Sequence, residues 1–341
     1  MFLFFVINNL ENLISNYIMK KKLLFLLLFL IVAGIVGFSY LKFALPNTGP
    51  APDFKIAATP ARIERGKYLA NHVMVCVDCH SNRDLDFYAA PVIAGTEGKG
   101  GETFDQNKGF PGAYVAQNIT PAHLGNWTNG EIFRALTTGV SKQGKALFPV
   151  MPYLYYGKLD REDIYAVIAY IRTLKPIDNK TPASESDFPM SLIINTIPQK
   201  ANFAPRPDQK DTIAYGRYMI TAAACADCHN TEENGKTVKD MPYAGGVQFK
   251  FPDMTIQSAN ITPDKETGIG NWTEQQFVNK FKSYDPATHP PRQVGDGDMK
   301  TPMPWTMFAG MDTTDLKAIY KYLRTIKAIN HSVERMIVAK N

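Results

Sequence analysis

The chain has 341 residues, enough for about two domains, and a composition of 45% hydrophobic and 20% charged residues excludes a disordered polymer. The formal net charge is only +5, and Lys20, Lys21 and Lys22 supply part of it. Lys and Arg are otherwise interspersed with Asp and Glu, so no nucleic-acid partner is expected.

Residues 1–22 are expected to form a cytoplasmic N-terminal segment. Met19 followed by three lysines is the usual start of a signal anchor, so translation is expected to begin there and not at Met1. The run Leu23–Leu41 holds 19 residues without a charge. At ~1.5 Å per residue it reaches ~28 Å, close to the hydrocarbon thickness of a bilayer. Lys20–Lys22 before it and a lone Lys42 after it put the N-terminus inside and the rest of the chain outside. A cleaved signal peptide would need small residues ahead of the cut, and Lys42 spoils that pattern around Ala44. The expectation is a single-pass anchor over 23–41 in the cytoplasmic membrane, with everything after the linker 42–58 in the periplasm.

Two stretches, 59–175 and 211–329, then repeat one another. Arg65-Gly66-Lys67-Tyr68 leads into Cys76-Val77-Asp78-Cys79-His80, and Tyr215-Gly216-Arg217-Tyr218 leads into Cys225-Ala226-Asp227-Cys228-His229. Asn118-Ile119-Thr120-Pro121 returns as Asn260-Ile261-Thr262-Pro263, Trp127-Thr128 as Trp272-Thr273, and Met151-Pro152 as Met303-Pro304. The common order reads as a duplicated domain. Between the copies lies a Pro-rich connector, 176–210, whose Leu192, Ile193, Ile194 and Phe203 predict packing along the domains. A C-terminal tail, 330–341, follows.

Each copy reads as mostly helix. Thr59-Pro60 opens the first helix, and Thr128 with Glu131 and Thr273 with Gln276 are capping boxes. Ile164, Val167, Ile168 and Ile171 give the closing helix of the first copy its apolar face; Leu316, Ile319, Tyr320 and Leu323 do so in the second. Gly66 and Gly216 sit inside opening helices, where glycine is unfavourable by ~1 kcal/mol relative to alanine. Their recurrence predicts a close approach by the helix bearing Tyr170 or Tyr322. The Gly-rich stretches Ser81–Gln117 and Asn230–Ala259 leave room for short strands that the sequence does not place.

All four cysteines lie in the two C-x-x-C-H motifs, the attachment site of c-type haem. Cys76, Cys79, Cys225 and Cys228 are expected to carry two covalently bound haems c, with His80 and His229 as proximal ligands. Neither a disulfide nor a zinc site explains a histidine directly after both pairs. Met151 and Met303, each before a proline, an aromatic residue and the closing helix, are expected to supply the second axial ligands. Met299, Met307 and Met311 are rivals in the second copy only. Asn118, Trp127, Asn260 and Trp272 are candidates for lining the haem edges or binding propionates, and His72 is expected on the helix surface.

Both copies resemble class I cytochrome c domains, with the aromatic-containing first helix, C-x-x-C-H, Met-Pro and closing helix just described. The N-I-T-P and G-x-W-T stretches resemble bacterial dihaem cytochromes and the multihaem cytochrome subunits of membrane-bound alcohol dehydrogenases. The resemblance implies an all-α fold of two tandem class I cytochrome c domains behind an N-terminal transmembrane helix. It implies His80 and Met151 on one iron, and His229 and Met303 on the other. The chain departs from the alcohol dehydrogenase subunits in having two haem motifs where those have three. The expected function is electron transfer between redox partner proteins, a donor and an acceptor. A dihaem peroxidase, a thiosulfate-type oxidoreductase and an electron-transfer subunit of a dehydrogenase complex are the alternatives.

Overall fold

The computed structural model describes residues 2–233, 236–295 and 297–338; Met1 and residues 339–341 of the expected tail lie outside them. The protein is largely helical. One helix runs without a break over Phe2–Ser39 and ends in a π-helical turn, Tyr40–Ala44. Its Leu13–Ala44 stretch, 32 residues, is long and apolar enough to cross a membrane, and no side chain of it is buried by the rest of the chain. The helix therefore continues through Lys20–Lys22 instead of starting after them. Lysine is a good helix former, and no Gly or Pro precedes Gly34 to break the run.

The two sequence repeats build corresponding elements. The opening helices are Pro60–Tyr68, continued by a π-helical turn Leu69–Val73, and Thr212–Ala222. Thr59 caps the first by accepting from the Arg62 N–H, and Asp211 caps the second by accepting from Ala214. The closing helices are Arg161–Ile171 and Thr313–Leu323. Between them, Asn129–Thr138 and Glu274–Lys282 each begin with the full reciprocal capping box that Thr128/Glu131 and Thr273/Gln276 predict. Opening and closing helices cross at the glycines, as expected. A Cβ on Gly66 would stand 1.8 Å from the Ala166 carbonyl oxygen, and one on Gly216 would stand 2.0 Å from that of Ala318.

The all-α expectation needs correction, because short strands occupy the Gly-rich stretches. β1 (Thr103–Phe104), β2 (Gly112–Val115) and β3 (Glu185–Ser186) form one antiparallel sheet in that order. β4 (Glu232–Glu233) and β5 (Lys236–Thr237) pair as a two-stranded antiparallel sheet. β6 (Gln248–Lys250), β7 (Met254–Gln257) and β8 (Met336–Val338) form a second three-stranded sheet, so the C-terminal stretch turns back onto the second repeat. Strands of two to four residues carry too little alternation to stand out in a sequence.

The connector wraps the first repeat. Asn118 donates to the carbonyls of Ile177 and Asn179, β3 pairs with β2, and Phe203 packs on Phe133 with ring centroids 5.3 Å apart. Ile193 departs from the expected packing, being 44% exposed.

The repeats also lock into one another reciprocally. The Tyr68 hydroxyl of the first donates to Asp315 of the second at 2.6 Å and accepts from the Asp312 N–H at 3.0 Å. The Tyr218 hydroxyl of the second donates to Asp163 of the first at 2.7 Å and accepts from the Asp160 N–H at 3.2 Å. The turn Tyr153–Tyr156 packs on helix Thr212–Ala222, and the turn Trp305–Phe308 packs on Leu69–Val73. A single apolar cluster runs through both repeats as a result.

Candidate functional site

Each C-x-x-C-H motif forms a single helical turn, entered by a residue in the left-handed conformation: Val75 at φ 46° and Ala224 at φ 49°. That backbone is unfavourable by roughly 1–2 kcal/mol for a residue with a Cβ. It breaks the chain's direction after the opening helix. The turn then puts each pair of thiols, three residues apart, on one side of the helix. No disulfide joins any of the four.

The histidines are fixed in the same way in both repeats. Nδ1 of His80 lies 2.6 Å from the Gln117 carbonyl oxygen, and Nδ1 of His229 lies 2.8 Å from that of Ala259. A carbonyl can only accept, so each Nδ1 carries the proton and Nε2 keeps its lone pair. Burial holds both imidazoles below the ordinary histidine pKa, against the pull of those carbonyls, which favours the neutral ring. The Gly100 N–H donates to the His80 carbonyl at 2.8 Å, and the Gly245 N–H donates to that of His229 at 2.7 Å. At φ +74° and +77°, a Cβ on either glycine would strike the Asn118 or Ala259–Asn260 backbone within 2.6 Å. The matching Gly100-Gly101 and Gly245-Gly246 doublets were a signal available in the sequence.

Met151 and Met303 are half-buried and pack against the same apolar cluster that holds Cys76 and touches Cys225. Each carbonyl closes the following turn, accepting from Tyr153 at 2.7 Å and from Trp305 at 2.8 Å. Tyr156, five residues after Met151, donates its hydroxyl to the Met74 carbonyl at 3.0 Å. That bond ties the Met-Pro turn to the approach of Cys76. Among the rivals, Met311 is fully buried at the position of the equally buried Leu159, so it is core.

The fold accounts for the recurrence of two candidates, and one minor expectation fails. The amides of Asn118 and Asn260 are buried and fully engaged within the fold. Each oxygen accepts from the N–H and hydroxyl two residues on, Thr120 or Thr262, and each NH2 reaches the carbonyl of Ile177 or Ile329 at 2.8 Å. His72 is not on the free surface. Its Nδ1 lies 3.0 Å from the Met307 carbonyl, and its ring packs on Gly310.

Among the described residues, no three His, Cys, Asp or Glu side chains converge where a metal ion could sit. Burial pushes the Cys76 thiol up to about 12.

No family model matches the chain. It is 29% identical over 294 residues to the fructose dehydrogenase cytochrome subunit of Gluconobacter japonicus, covering 82% of this chain and 55% of that protein. It is 27% identical over 293 residues to the cytochrome c subunit of the quinone-dependent alcohol dehydrogenase of Gluconacetobacter polyoxogenes, covering 80% and 58%. A "diheme cytochrome c-type" protein of Cereibacter sphaeroides is 26% identical over 266 residues, covering 74% and 82%. The chain thus has a distant, family-level similarity to cytochrome subunits of bacterial dehydrogenases, and it spans little more than half the length of the first two relatives. That relationship and the apolar helix support a membrane-associated role in electron transfer.

Proposed function

We propose that the protein carries two covalently attached haems c and passes electrons along the outer face of the membrane as a subunit of a larger redox complex. The observation that carries this reading is the duplicated imidazole. In each repeat a histidine directly after a C-x-x-C turn is pinned through Nδ1 to a backbone carbonyl and left neutral at Nε2. Haem supplies a one-electron Fe(III)/Fe(II) couple when bound. The donor set fits that group: paired thiols on one helical face, an oriented imidazole, and a thioether on a tied-down turn. Cys76, Cys79, Cys225 and Cys228 would hold the macrocycles. His80 and Met151 would ligate one iron, and His229 and Met303 the other. The reciprocal packing of the repeats would keep the two sites in one fixed relation. The complex itself is proposed from the printed names of the relatives, which are dehydrogenase subunits.

Met151→Ala and Met303→Ala test the ligand assignment. Each should remove about half of the thioether charge-transfer absorption of the oxidised protein. Each should also lower one midpoint potential by a sizeable part of the ~0.8 V that axial ligands span. Covalent haem content should not change. Potentiometric titration of the full chain gives the answer, and unaltered potentials and absorption in Met303→Ala would assign the second ligand elsewhere.

A further inference from the structure

The connector holds an apolar element that nothing described so far uses. Phe188 to Gln199 is a run without a single charged residue, and it folds as a helical turn, Met190–Ile193, followed by a 3-10 turn, Ile194–Thr196. Phe188 is 79% exposed and Ile193 44% exposed. Exposed apolar side chains on an uncharged segment call for a cover.

The cover is set by what the segment touches. The Asn195 side-chain amide donates to the Leu41 carbonyl at 3.0 Å, and both turns pack against Tyr40–Ala44. Leu41 is the last residue of the uncharged run Leu23–Leu41, and Lys42 follows it. A hydrocarbon layer matched to the uncharged run would end at Leu41, and the Asn195 bond would hold the connector at that depth. Phe43, 81% exposed, and Tyr40, 59% exposed, stand on the adjoining turn.

The other end of the element is anchored in the folded body. β3 pairs with β2 immediately before it, the Asp187 N–H donates to the Pro111 carbonyl at 3.0 Å, and Gln106 donates to the Asp187 carboxylate at 2.7 Å. The linker from the membrane helix is docked as well. Pro52 lies so close over Gly130 that a Cβ there would stand 1.6 Å from the Pro52 carbonyl oxygen, and Phe54 packs on Phe133 and Tyr165.

We propose that Phe188–Ile193 is a second membrane contact. It inserts into the acyl–headgroup boundary of the leaflet that the helix leaves, and seats the first repeat directly on the bilayer surface. The occupant is lipid because the exposed face is continuous with the end of the span. With Leu41–Asn195 and Phe188–Ile193 as two points of attachment, the candidate site in the first repeat is held at a fixed height and tilt.

The full chain, reconstituted in phosphatidylcholine–phosphatidylglycerol vesicles and photolysed with a lipid-phase aryl diazirine, tests this by peptide mapping. Label is expected on Phe188–Ile193 as well as on the span, and not on Leu85, which is 67% exposed but belongs to the loop after Cys79-His80. In Phe188→Ser/Ile193→Ser, labelling at Leu192 and Ile194 should fall by about tenfold or more, the shift expected for withdrawing apolar side chains from lipid. Labelling of Leu23–Leu41 and bound haem should stay as they are. Label confined to the span overturns the proposal. So does equal labelling of Leu85 and Phe188, or an unchanged pattern in the double variant.

Discussion

Alanine at Gly66 or at Gly216 should destabilise the protein by about 2–4 kcal/mol, even after alanine's helix-propensity gain of about 1 kcal/mol. The new Cβ at Gly66 would meet the Ala166 carbonyl oxygen at 1.8 Å, its carbon at 2.4 Å, and the Tyr170 Cβ at 2.9 Å. At Gly216 the corresponding distances are 2.0 Å and 2.6 Å to Ala318 and 3.0 Å to the Tyr322 Cβ. Backbone atoms cannot rotate aside, so the crossed helices must separate along the core they share. Thermal unfolding should show a midpoint lower by roughly 5–15 °C for each variant. A midpoint equal to that of the parent would mean that the helices do not cross at the glycines.

The two seam aspartates should respond to substitution in opposite ways. Asp163 accepts from Arg65 at 2.9 and 3.0 Å, from Arg206 at 2.7 Å and from Tyr218 at 2.7 Å. Burial opposes its ionisation, but Arg65 above all, with Tyr218 and Arg206, holds it below the usual carboxylate range. Asp315 accepts from Tyr68 and makes no direct bond to an arginine, since Tyr215 stands where the first repeat has Arg65; Arg65 pulls on it only through space. Its second oxygen is buried without a partner, and burial pushes its pKa up. Asp163→Asn leaves a largely buried guanidinium uncompensated, and should destabilise by about 2–4 kcal/mol at neutral pH, less than for a fully buried pair because Arg65 keeps some solvent contact. Asp315→Asn should be neutral or stabilising there.

The pH dependences differ in sign. A depressed folded pKa gives stability that is present above the unfolded value, ~3.9, and lost as pH falls through the folded value. The deficit of Asp163→Asn should therefore shrink below about pH 4. A raised folded pKa favours the protonated fold, so the parent loses that contribution as pH rises above ~3.9 through the Asp315 value. Asp315→Asn should escape this loss and gain on the parent over that range. Unfolding midpoints of the three proteins between pH 3 and 8, a range chosen to bracket ~3.9, decide the matter. An Asp315→Asn deficit that grows with pH would show that the carboxylate, and not the acid, is the form the fold favours.

Much of the local structure was legible in the sequence. The capping boxes, the Thr59-Pro60 start and the glycine crossings all formed where residue chemistry placed them, because each depends on neighbours within a turn or on the lack of a Cβ. The seam was not legible. Tyr68 and Tyr218, like Asp163 and Asp315, recur in both repeats, but recurrence does not tell whether a tyrosine meets the aspartate of its own copy or of the other. His72 escaped for the same reason, since its partners Met307 and Gly310 are more than two hundred residues away. The recurrence of Asn118 and Asn260 is explained in the sequence equally by a haem-edge role and by the fold. The structure supplies the fold's reason, a loop whose buried backbone groups need their amides. The asymmetry that sets the two aspartates apart was present all along as Arg65 against Tyr215, and it acquires meaning only once both face a buried carboxylate.

Haem stoichiometry tests the central claim most directly. The full chain, purified from membranes in detergent and extracted with acid–acetone, should keep its colour, and pyridine haemochrome quantitation should give two haems c per polypeptide. A single equivalent, or haem released into the solvent, would contradict the assignment of Cys76, Cys79, Cys225 and Cys228 as attachment sites.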